Sequence, residues 1–249
     1  SGNGALPAGY TSVFPSFSDS VGFMSISDNS EYLFFGKKQS GDNFMSMTWK
    51  TNNAGVSNKL KVVSLEHKMG LHGSPTAVMQ YEGATGWIIG EPNDGLRAMF
   101  TMMNNARLGV GGQGIGVAEA AFQHSTEYAL NRKQGKSTIQ NKHGTIIDHA
   151  DIRRMLISMR ADIFASRSIE LENAKAIDMA NATGEPEWIN KAAFLTPITK
   201  VFGTEIGINI SNLGVQIHGG MGFIEETGAA QFSRDVRVTA IYEGTNGIQ

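Results

Sequence analysis

Apolar residues recur every three or four positions from Gly95 onward, and this spacing limits most strongly how the chain can fold. A first segment of this kind runs from Met99 to Leu130, and a second runs from Ile152 to about Gly184. The spacing is that of one face of an α-helix. Gly184-Glu185-Pro186 separates the second segment from a third, because proline is tolerated in the first turn of a helix. The apolar stripe of the third segment comprises Phe194, Ile198, Val201, Phe202, Ile206 and Leu213. Three long helices with shorter terminal ones predict a bundle.

The first 93 residues have a different pattern. Short runs of β-branched and aromatic residues, Glu31–Phe35, Leu60–Leu65 and Ala77–Tyr81, lie between Gly, Asn, Asp and Pro turn signals. These runs predict antiparallel strands. The chain is therefore expected to be α+β, with a partial antiparallel β-domain at 1–93 and a C-terminal helical bundle at 94–249. Within the helical half, the polar stretch Lys133–His149 is expected to form a long loop.

Composition excludes several classes of function. A formal net charge of −2 over 249 residues argues against a general polyanion or membrane-surface binder. The sequence has no long apolar run and no signal-peptide pattern, so a cytoplasmic location is the default expectation. The chain has no cysteine, and its six histidines lack metal-ligand spacing, so no metal site is expected. Any redox chemistry would require a borrowed cofactor.

Two glycine motifs are not interpreted as nucleotide sites. Gly109–Gly114 fits G-x-G-x-x-G, but a dinucleotide fingerprint follows a strand, whereas Phe100–Arg107 is predicted to be helical. Close helix packing explains these glycines better. Gly135-Lys136-Ser137 resembles the end of a P-loop, but Leu130 occupies the position of the first glycine.

The segment Tyr242–Gln249 places one carboxylate, Glu243, between an aromatic ring and a Gly-Thr-Asn turn. Alone, a glutamate before a glycine is more often a solvated residue at a helix end. Here it follows several other segments in a fixed order: His67–Thr76, Gly90–Leu96, Arg107 with Gly116–Ala121, Tyr128–Gln134, Gln216–Phe223 and Arg234–Arg237. Together these segments resemble the acyl-CoA dehydrogenase family over about residues 60–249. The resemblance implies the family's helical bundle and FAD-dependent oxidation of an acyl-CoA to the enoyl-CoA.

The chemistry of that reaction is consistent with Glu243 as the base. Forming the enoyl thioester removes an α-proton and a β-hydride, which requires a base, an electron-pair acceptor and donors to the thioester oxygen. A free glutamate has a pKa of about 4.3 and is too weak a base, so Glu243 is expected to be desolvated. The flavin accepts the hydride, because no side chain can. Gly244 is expected to allow a tight turn beside the flavin ring.

Further site residues follow from the resemblance alone. Arg132 would bind the flavin pyrophosphate of a neighbouring subunit, with a solvated helix-end arginine as the alternative. The adenylate half would contact Gln216, Ile217, His218, Gly219 and Gly220. A helix C-cap at these residues is the compatible alternative.

The family's pattern places four more residues near the reacting groups. Thr245 and Asn246 would contact the cofactor. Asn104 and Arg107 would lie along the CoA or acyl channel, and Gly244 would contact the substrate. For Arg107, an ion pair within the helix is the alternative.

The chain also departs from the family pattern. No segment matches the early β-domain strands that contact the flavin ring in this family, and residues 1–55 match no family segment, so a partial protein is expected. The runs Glu66–Thr76 and His218–Glu226 most resemble a bacterial subfamily that includes 3-methylmercaptopropionyl-CoA dehydrogenases. This resemblance implies a small or thioether acyl chain.

Partners and alternative functions follow from the same resemblance. Electron-transfer flavoprotein is the expected electron acceptor, and a homodimer or homotetramer is the expected assembly, with neither nucleic acid nor membrane as a partner. The alternatives are an acyl-CoA oxidase, a flavoprotein of the same fold that acts on nucleic acid or in stress protection, and a catalytically silent helical module.

Overall fold

A computed structural model describes residues 31–37, 43–49, 59–84, 86–88, 90–137, 139 and 144–248. The chain divides into two compact units, Ser1–Met103 and Asn104–Gln249. Residues 1–30, which match no family segment, and residues 138 and 140–143 in the middle of the polar stretch lie outside the described residues. None of the described helices combines the length and the apolar character needed to cross a membrane.

The first unit contains five described strands, all paired antiparallel. Strands β1 (Glu31–Lys37), β2 (Asn43–Trp49) and β5 (Gly86–Ile88) form a sheet in the order β1-β2-β5. Strands β3 (Leu60–Leu65) and β4 (Ala77–Tyr81) form a separate pair, with a register shift between Val62 and Ser64. The three predicted strands are confirmed, as is the α+β fold class. The sequence pattern did not reveal β2 and β5.

Four α-helices make up most of the described residues from Gly95 onward. They are α1 (Gly95–Asn131), α2 (Ala150–Thr183), α3 (Pro186–His218) and α4 (Ala229–Val236). Short 3-10 helices lie at Ile146–Asp148, Gly219–Phe223, Glu225–Thr227 and Arg237–Ala240. Helix α1 begins in the first unit, and its residues from Asn104 onward belong to the second. The three predicted long helices are confirmed, with Pro186 in the first turn of α3.

The apolar stripe of α2 forms much of the core of the second unit. Met155, Leu156, Met159 and Ile163 are buried, as predicted from their spacing. They pack in one cluster that also contains Ala118, Ala121, Ala129, Ile146, Ile206, Ile210 and Ile217. Burial of this stripe explains why α2 continues for 34 residues without depending on local helix propensity alone.

Helices α1 and α3 approach each other closely through glycines. A Cβ atom built on Gly203 would lie 2.7 Å from the backbone oxygen of Gly111, and one on Gly207 would lie 2.7 Å from that of Gly114. Only glycine allows the backbones this separation. The interpretation of the Gly109–Gly114 motif as helix packing is thereby confirmed at Gly111 and Gly114.

The buried face of α3 differs from the predicted stripe. Phe194 is 68% exposed, whereas Thr196, Thr199, Lys200 and Thr204 are buried. The expectation that the stripe beginning at Phe194 covers the core is therefore wrong for this end of α3. The reason is the glycine crossing, which brings the small and polar face of α3 against α1. Ile206, further along the stripe, is buried as predicted.

The polar stretch after α1 is tied to the bundle at its two ends. Lys133 and Thr145 form an antiparallel bridge, and the Ile146 amide donates to the Arg132 carbonyl at 2.8 Å. The Gln134 amide donates to the Gly144 carbonyl at 3.0 Å. These bonds fix the position of Arg132 at the end of α1, beside the start of α2.

Candidate functional site

Glu243 lies in a tight turn near the end of the chain. The turn follows the 3-10 helix Arg237–Ala240, and the Asn246 amide donates to the Ala240 carbonyl at 3.1 Å. Glu243 has a φ angle of 55° and Gly244 has one of 90°. A left-handed backbone is unfavourable by about 1–2 kcal/mol for a residue with a side chain. Such strain persists only where the surroundings impose it, and it clusters at functional sites.

The Glu243 side chain is fully buried and lies near two cationic side chains. The Arg107 Nε donates to the Glu243 backbone oxygen at 3.3 Å, and Arg107 Nη1 donates to Asn104 Oδ1 at 3.3 Å. From α3, the Lys200 ammonium donates to the Gly244 backbone oxygen at 2.8 Å. Arg107 therefore bonds to the turn and to Asn104, which differs from the ion pair within the helix that was the alternative.

Burial is the largest influence on the pKa of Glu243. It raises the pKa of this carboxyl to about 7, while the positive charges of Arg107 and Lys200 oppose the increase. Burial and the Arg107 charge lower the pKa of Lys200 to about 8, although Glu243 and Glu205 act in the other direction. A carboxyl with a pKa near neutrality can both hold and release a proton at physiological pH.

Asn246 connects the turn to one stretch of α3. Its side-chain oxygen accepts a hydrogen bond from Lys200 Nζ at 2.8 Å. Its Nδ2 donates to Thr204 Oγ1 at 3.0 Å and to Glu205 Oε1 at 2.9 Å. One amide therefore bonds to three side chains within six residues of helix, which fixes the position of the turn.

Tyr242 is held by α1, whereas Asn246 is held by α3. Its hydroxyl donates a hydrogen bond to Gln113 Oε1 in the middle of α1. Burial and the neighbouring charge of Glu243 raise the pKa of Tyr242 to about 12 despite this bond. The phenol thus remains neutral and acts as a hydrogen-bond donor over the whole physiological range.

A second group of residues lines a cavity of about 650 Å³ at the C-terminal end of α3. From the end of α1 it includes Tyr128 and Arg132, and from the end of α3 it includes Ile217, His218, Gly219 and Gly220. A guanidinium group and adjacent glycines suit an anionic ligand that approaches the backbone closely.

His218 lines this cavity and is stacked against two other rings. Its ring lies between Tyr128, with centroids 4.3 Å apart, and His124, with centroids 4.6 Å apart. Nδ1 lies 2.7 Å from the Gly214 carbonyl oxygen and can only donate there, so Nε2 of the neutral ring is an acceptor. Burial lowers the pKa of His218, which favours this neutral form. Nε2 is buried and has no hydrogen-bond partner among the described residues.

Comparison with known proteins matches this arrangement to a family. The family model described as "Acyl-CoA dehydrogenase, C-terminal domain" matches residues 93–249. The chain belongs to the acyl-CoA dehydrogenase family. The match includes Glu243, Lys200 and the cavity residues, so both groups lie in the part of the chain that defines the family.

Two curated acyl-CoA dehydrogenases illustrate the relationship. The chain is 49% identical to a 3-methylmercaptopropionyl-CoA dehydrogenase of Ruegeria pomeroyi over 77% of its own length and 34% of that protein. It is 33% identical to a butyryl-CoA dehydrogenase of Syntrophomonas wolfei over 78% of its length and 34% of that protein. The chain thus spans about a third of the length of these relatives. The predicted resemblance to 3-methylmercaptopropionyl-CoA dehydrogenases is confirmed.

A solved acyl-CoA dehydrogenase has the same fold. The crystal structure of the enzyme from Bacillus anthracis, described as complexed with FAD, superposes with a TM-score of 0.76 at 24% identity. The match covers 91% of this chain and 41% of that one. At this identity the likeness establishes the fold of the acyl-CoA dehydrogenase bundle.

The structure brings most of the predicted site residues into two groups. Asn104, Arg107, Gly244 and Asn246 surround Glu243, whereas Arg132 lines the cavity with Ile217, His218, Gly219 and Gly220. Gln216 is exposed, is not among the residues lining the cavity and, as the compatible alternative predicted, accepts the capping bond from the Gly219 amide. Thr245 is exposed and accepts a bond from the Ile248 amide.

Sequence reasoning missed Lys200 and Gln113. Lys200 is the largest fully buried side chain among the described residues, yet a lysine within a helix is ordinarily solvated. One signal was available, because Lys200 lies on the same helical face as Thr196, Gly203, Thr204 and Gly207. A lysine among small residues on the inner face indicates a buried charge with a specific acceptor.

Proposed function

We propose that the protein oxidises an acyl-CoA thioester to its enoyl form, with Glu243 as the base that removes the α-proton. The observation that supports this most strongly is a fully buried carboxyl whose pKa is raised to about 7 in a strained turn. A carboxylate of this pKa is a far stronger base than a solvated glutamate, and about half of it is ionised at neutral pH.

The neighbouring residues prepare Glu243 for proton transfer. Arg107 and Lys200 stabilise its ionised form before the reaction, because both lower its pKa. When Glu243 takes the α-proton, its charge is neutralised within the buried site, which removes the desolvation penalty of the carboxylate. Tyr242, held by Gln113, and Gly244, held by Lys200, keep the two peptides around Glu243 in place.

The cavity residues fit the adenylate half of FAD. Arg132 would bind its phosphates, and His218 Nε2 is a buried acceptor suited to a hydroxyl or amino group of the ligand. Gly219 and Gly220 would let the ligand approach the backbone, while Thr245 and Asn246 would lie near the flavin. When bound, FAD supplies the acceptor for the β-hydride.

The separation of the two groups supports a site shared between copies of the chain. Lys200 and His218 are 18 positions apart on α3, which corresponds to about 27 Å along the helix axis. We infer that the cavity of one copy receives the adenylate half of a cofactor whose flavin lies at Glu243 of another. A homodimer or homotetramer follows, with electron-transfer flavoprotein as the proposed acceptor. The division at residues 93 and 94 and the cytoplasmic location stay predictions.

The substrate proposal rests on the relationship to 3-methylmercaptopropionyl-CoA dehydrogenase of Ruegeria pomeroyi. We propose a short acyl-CoA, with 3-methylmercaptopropionyl-CoA as the first candidate. The butyryl-CoA dehydrogenase of Syntrophomonas wolfei makes butyryl-CoA the natural comparison, because the two acyl chains are of similar size.

The test mixes the FAD-loaded protein with acyl-CoA substrates in the absence of oxygen. Reduction of the flavin is measured as the loss of its visible absorbance. Addition of 3-methylmercaptopropionyl-CoA is expected to bleach the flavin faster than butyryl-CoA or a long straight-chain acyl-CoA. Glu243→Gln should abolish the bleaching, whereas Glu226→Gln, an exposed carboxylate in the same domain, should not affect it. Bleaching that persists in Glu243→Gln would show that another group is the base, and an unreactive wild-type protein would contradict the proposed activity.

A further inference from the structure

Lys200 is a buried charge that neither gives nor takes a proton in the proposed reaction. It lies at the middle of α3, is fully buried and carries an ammonium group with three hydrogen-bond donors. Removing an ammonium group from water is strongly unfavourable unless acceptors within the protein replace the lost hydration. Its acceptors therefore indicate what the residue does.

Both described acceptors of Lys200 belong to the turn that carries Glu243. They are the Gly244 backbone oxygen and Asn246 Oδ1, each at 2.8 Å. Asn246 in turn donates to Thr204 and Glu205, one turn further along α3. The residues immediately after Glu243 are thus attached to α3 through a single ammonium and a single amide.

These attachments oppose the intrinsic preference of the turn. Glu243 has a φ angle of 55°, which a residue with a side chain ordinarily avoids. Arg107 holds the carbonyl of Glu243 from α1, and Lys200 holds the carbonyl of Gly244 from α3. Because α1 and α3 are themselves in contact through glycines, the two attachment points are fixed relative to each other.

We propose that Lys200 is a positioning residue, whose ammonium fixes the turn at Gly244 and Asn246 and thereby the orientation of the Glu243 carboxylate. This inference rests on the proposed role of Glu243 as the base. Lys200 acts through the backbone and through Asn246. A positive charge anywhere near Glu243 would lower its pKa, but only a donor at this point of α3 joins both acceptors.

The test uses the purified, FAD-loaded protein with three substitutions of Lys200. Lys200→Met keeps the length and removes the charge and the donors. Lys200→Arg keeps the charge but places a planar group in an enclosed space. Lys200→Gln has a shorter, neutral side chain that can donate, and it replaces Lys200→Met in the test if the methionine variant fails to fold. Lys191→Met is the matched control, because Lys191 lies on the same helix and is partly exposed, with Glu172 as its partner.

Anaerobic flavin bleaching gives the first readout. We expect the maximal bleaching rate to fall by about 10- to 100-fold in Lys200→Met, since a misplaced reacting group has an effect of this size. The substrate concentration for half-maximal rate should change by no more than about threefold, because ground-state binding is largely retained. Lys200→Arg should also be slow, whereas Lys191→Met should match the wild type.

Hydrogen–deuterium exchange gives a second readout that does not depend on activity. The Asn246 and Ile248 amides are hydrogen-bonded within the turn, so the peptide spanning 240–248 should exchange faster in Lys200→Met. Peptides from α2 should be unchanged. This measurement separates the two proposals, because it reports the attachment of the turn even if no acyl-CoA bleaches the flavin.

Two results would overturn the inference. One is a wild-type exchange rate for the 240–248 peptide in Lys200→Met, which would show that Lys200 does not fix the turn. The other is a wild-type bleaching rate in Lys200→Met, which would show that the bonds from Lys200 to Gly244 and Asn246 do not orient the Glu243 carboxylate. Loss of bleaching in the wild-type protein would contradict the proposed function, while the exchange result would still decide the role of Lys200.

Discussion

The hydroxyl of Tyr242 donates a hydrogen bond to the side-chain oxygen of Gln113, a residue 129 positions earlier in the chain. The residue before Glu243 is thereby joined to the middle of α1. Lys200 and Asn246 join the following residues to α3. The strained turn is fixed on both sides of Glu243 by side chains from two helices that touch through their backbones.

Replacing Gln113 should loosen this arrangement. Gln113→Ala leaves the half-buried phenol of Tyr242 without its acceptor, which is expected to destabilise the fold by about 1–3 kcal/mol. Chemical denaturation measures this change. Gln123→Ala on the same helix is the control, because Gln123 is exposed and bonds only to the side chain of Glu119. Equal effects of the two substitutions would contradict a specific role for the Tyr242 bond.

Stability should depend on pH through Glu243. Because burial raises its pKa from 4.5 to about 7, the folded state binds more protons than the unfolded state between these values. The stabilisation present below pH 4.5 is therefore lost as the pH rises through about 7. The charged groups facing this carboxyl are Arg107 and Lys200, and both limit the size of the effect.

Glu243→Gln removes this titration. The variant should gain thermal stability relative to the wild type at pH 8, by about 2–6 °C, and show little gain at pH 5. Thermal unfolding at the two pH values checks the sign. A difference that is constant with pH would show that the carboxyl has an ordinary pKa in the folded protein.

The contact of α1 and α3 should not tolerate a methyl group. Gly203→Ala would place a Cβ atom 2.7 Å from the Gly111 backbone oxygen and 3.2 Å from its Cα, so the helices must separate. We expect a loss of about 1–3 kcal/mol, as for other overpacked sites. Gly116→Ala on α1 has no atom nearby and should instead stabilise by up to about 1 kcal/mol. A stable Gly203→Ala variant would contradict the close approach.

His218 should contribute to cofactor retention. His218→Phe keeps an aromatic ring between Tyr128 and His124 but removes the buried acceptor Nε2, so FAD binding is expected to weaken by about 10-fold or more. The flavin-to-protein absorbance ratio after dialysis measures this. His67→Phe, an exposed position in the first unit, is the control. Full retention of FAD by His218→Phe would show that the cavity does not hold the cofactor through this atom.

The sequence alone was sufficient to predict the long helices and several strands, because their periodicity extends over many residues. The sequence also singled out Glu243 as the candidate base from the local motif around it, and that role stays a prediction. Gly86–Ile88 forms a strand of three residues, which is too short for a periodic pattern. Its pairing with β2 is a tertiary contact that local sequence does not encode.

The hydrogen bonds that hold the turn could not be predicted from the sequence, because they also join residues that are far apart in the chain. Lys200 and Asn246 are 46 positions apart, and Gln113 and Tyr242 are 129 apart. Residue type indicates neither pairing, because lysine and glutamine within helices usually face solvent. The exposed Phe194 reflects the same difficulty, since the glycines, rather than the largest apolar side chains, determine which face of α3 turns toward α1.

The left-handed backbone of Glu243 has a consequence for how substitutions at this position are tolerated. Glycine would relieve the unfavourable φ angle and would also remove a buried carboxyl. We therefore expect a protein with glycine at position 243 to be inactive but thermally more stable than the wild type. A selection for thermal tolerance alone would favour replacement of Glu243, so under its proposed role as the base this residue is kept for catalysis against the preference of the fold.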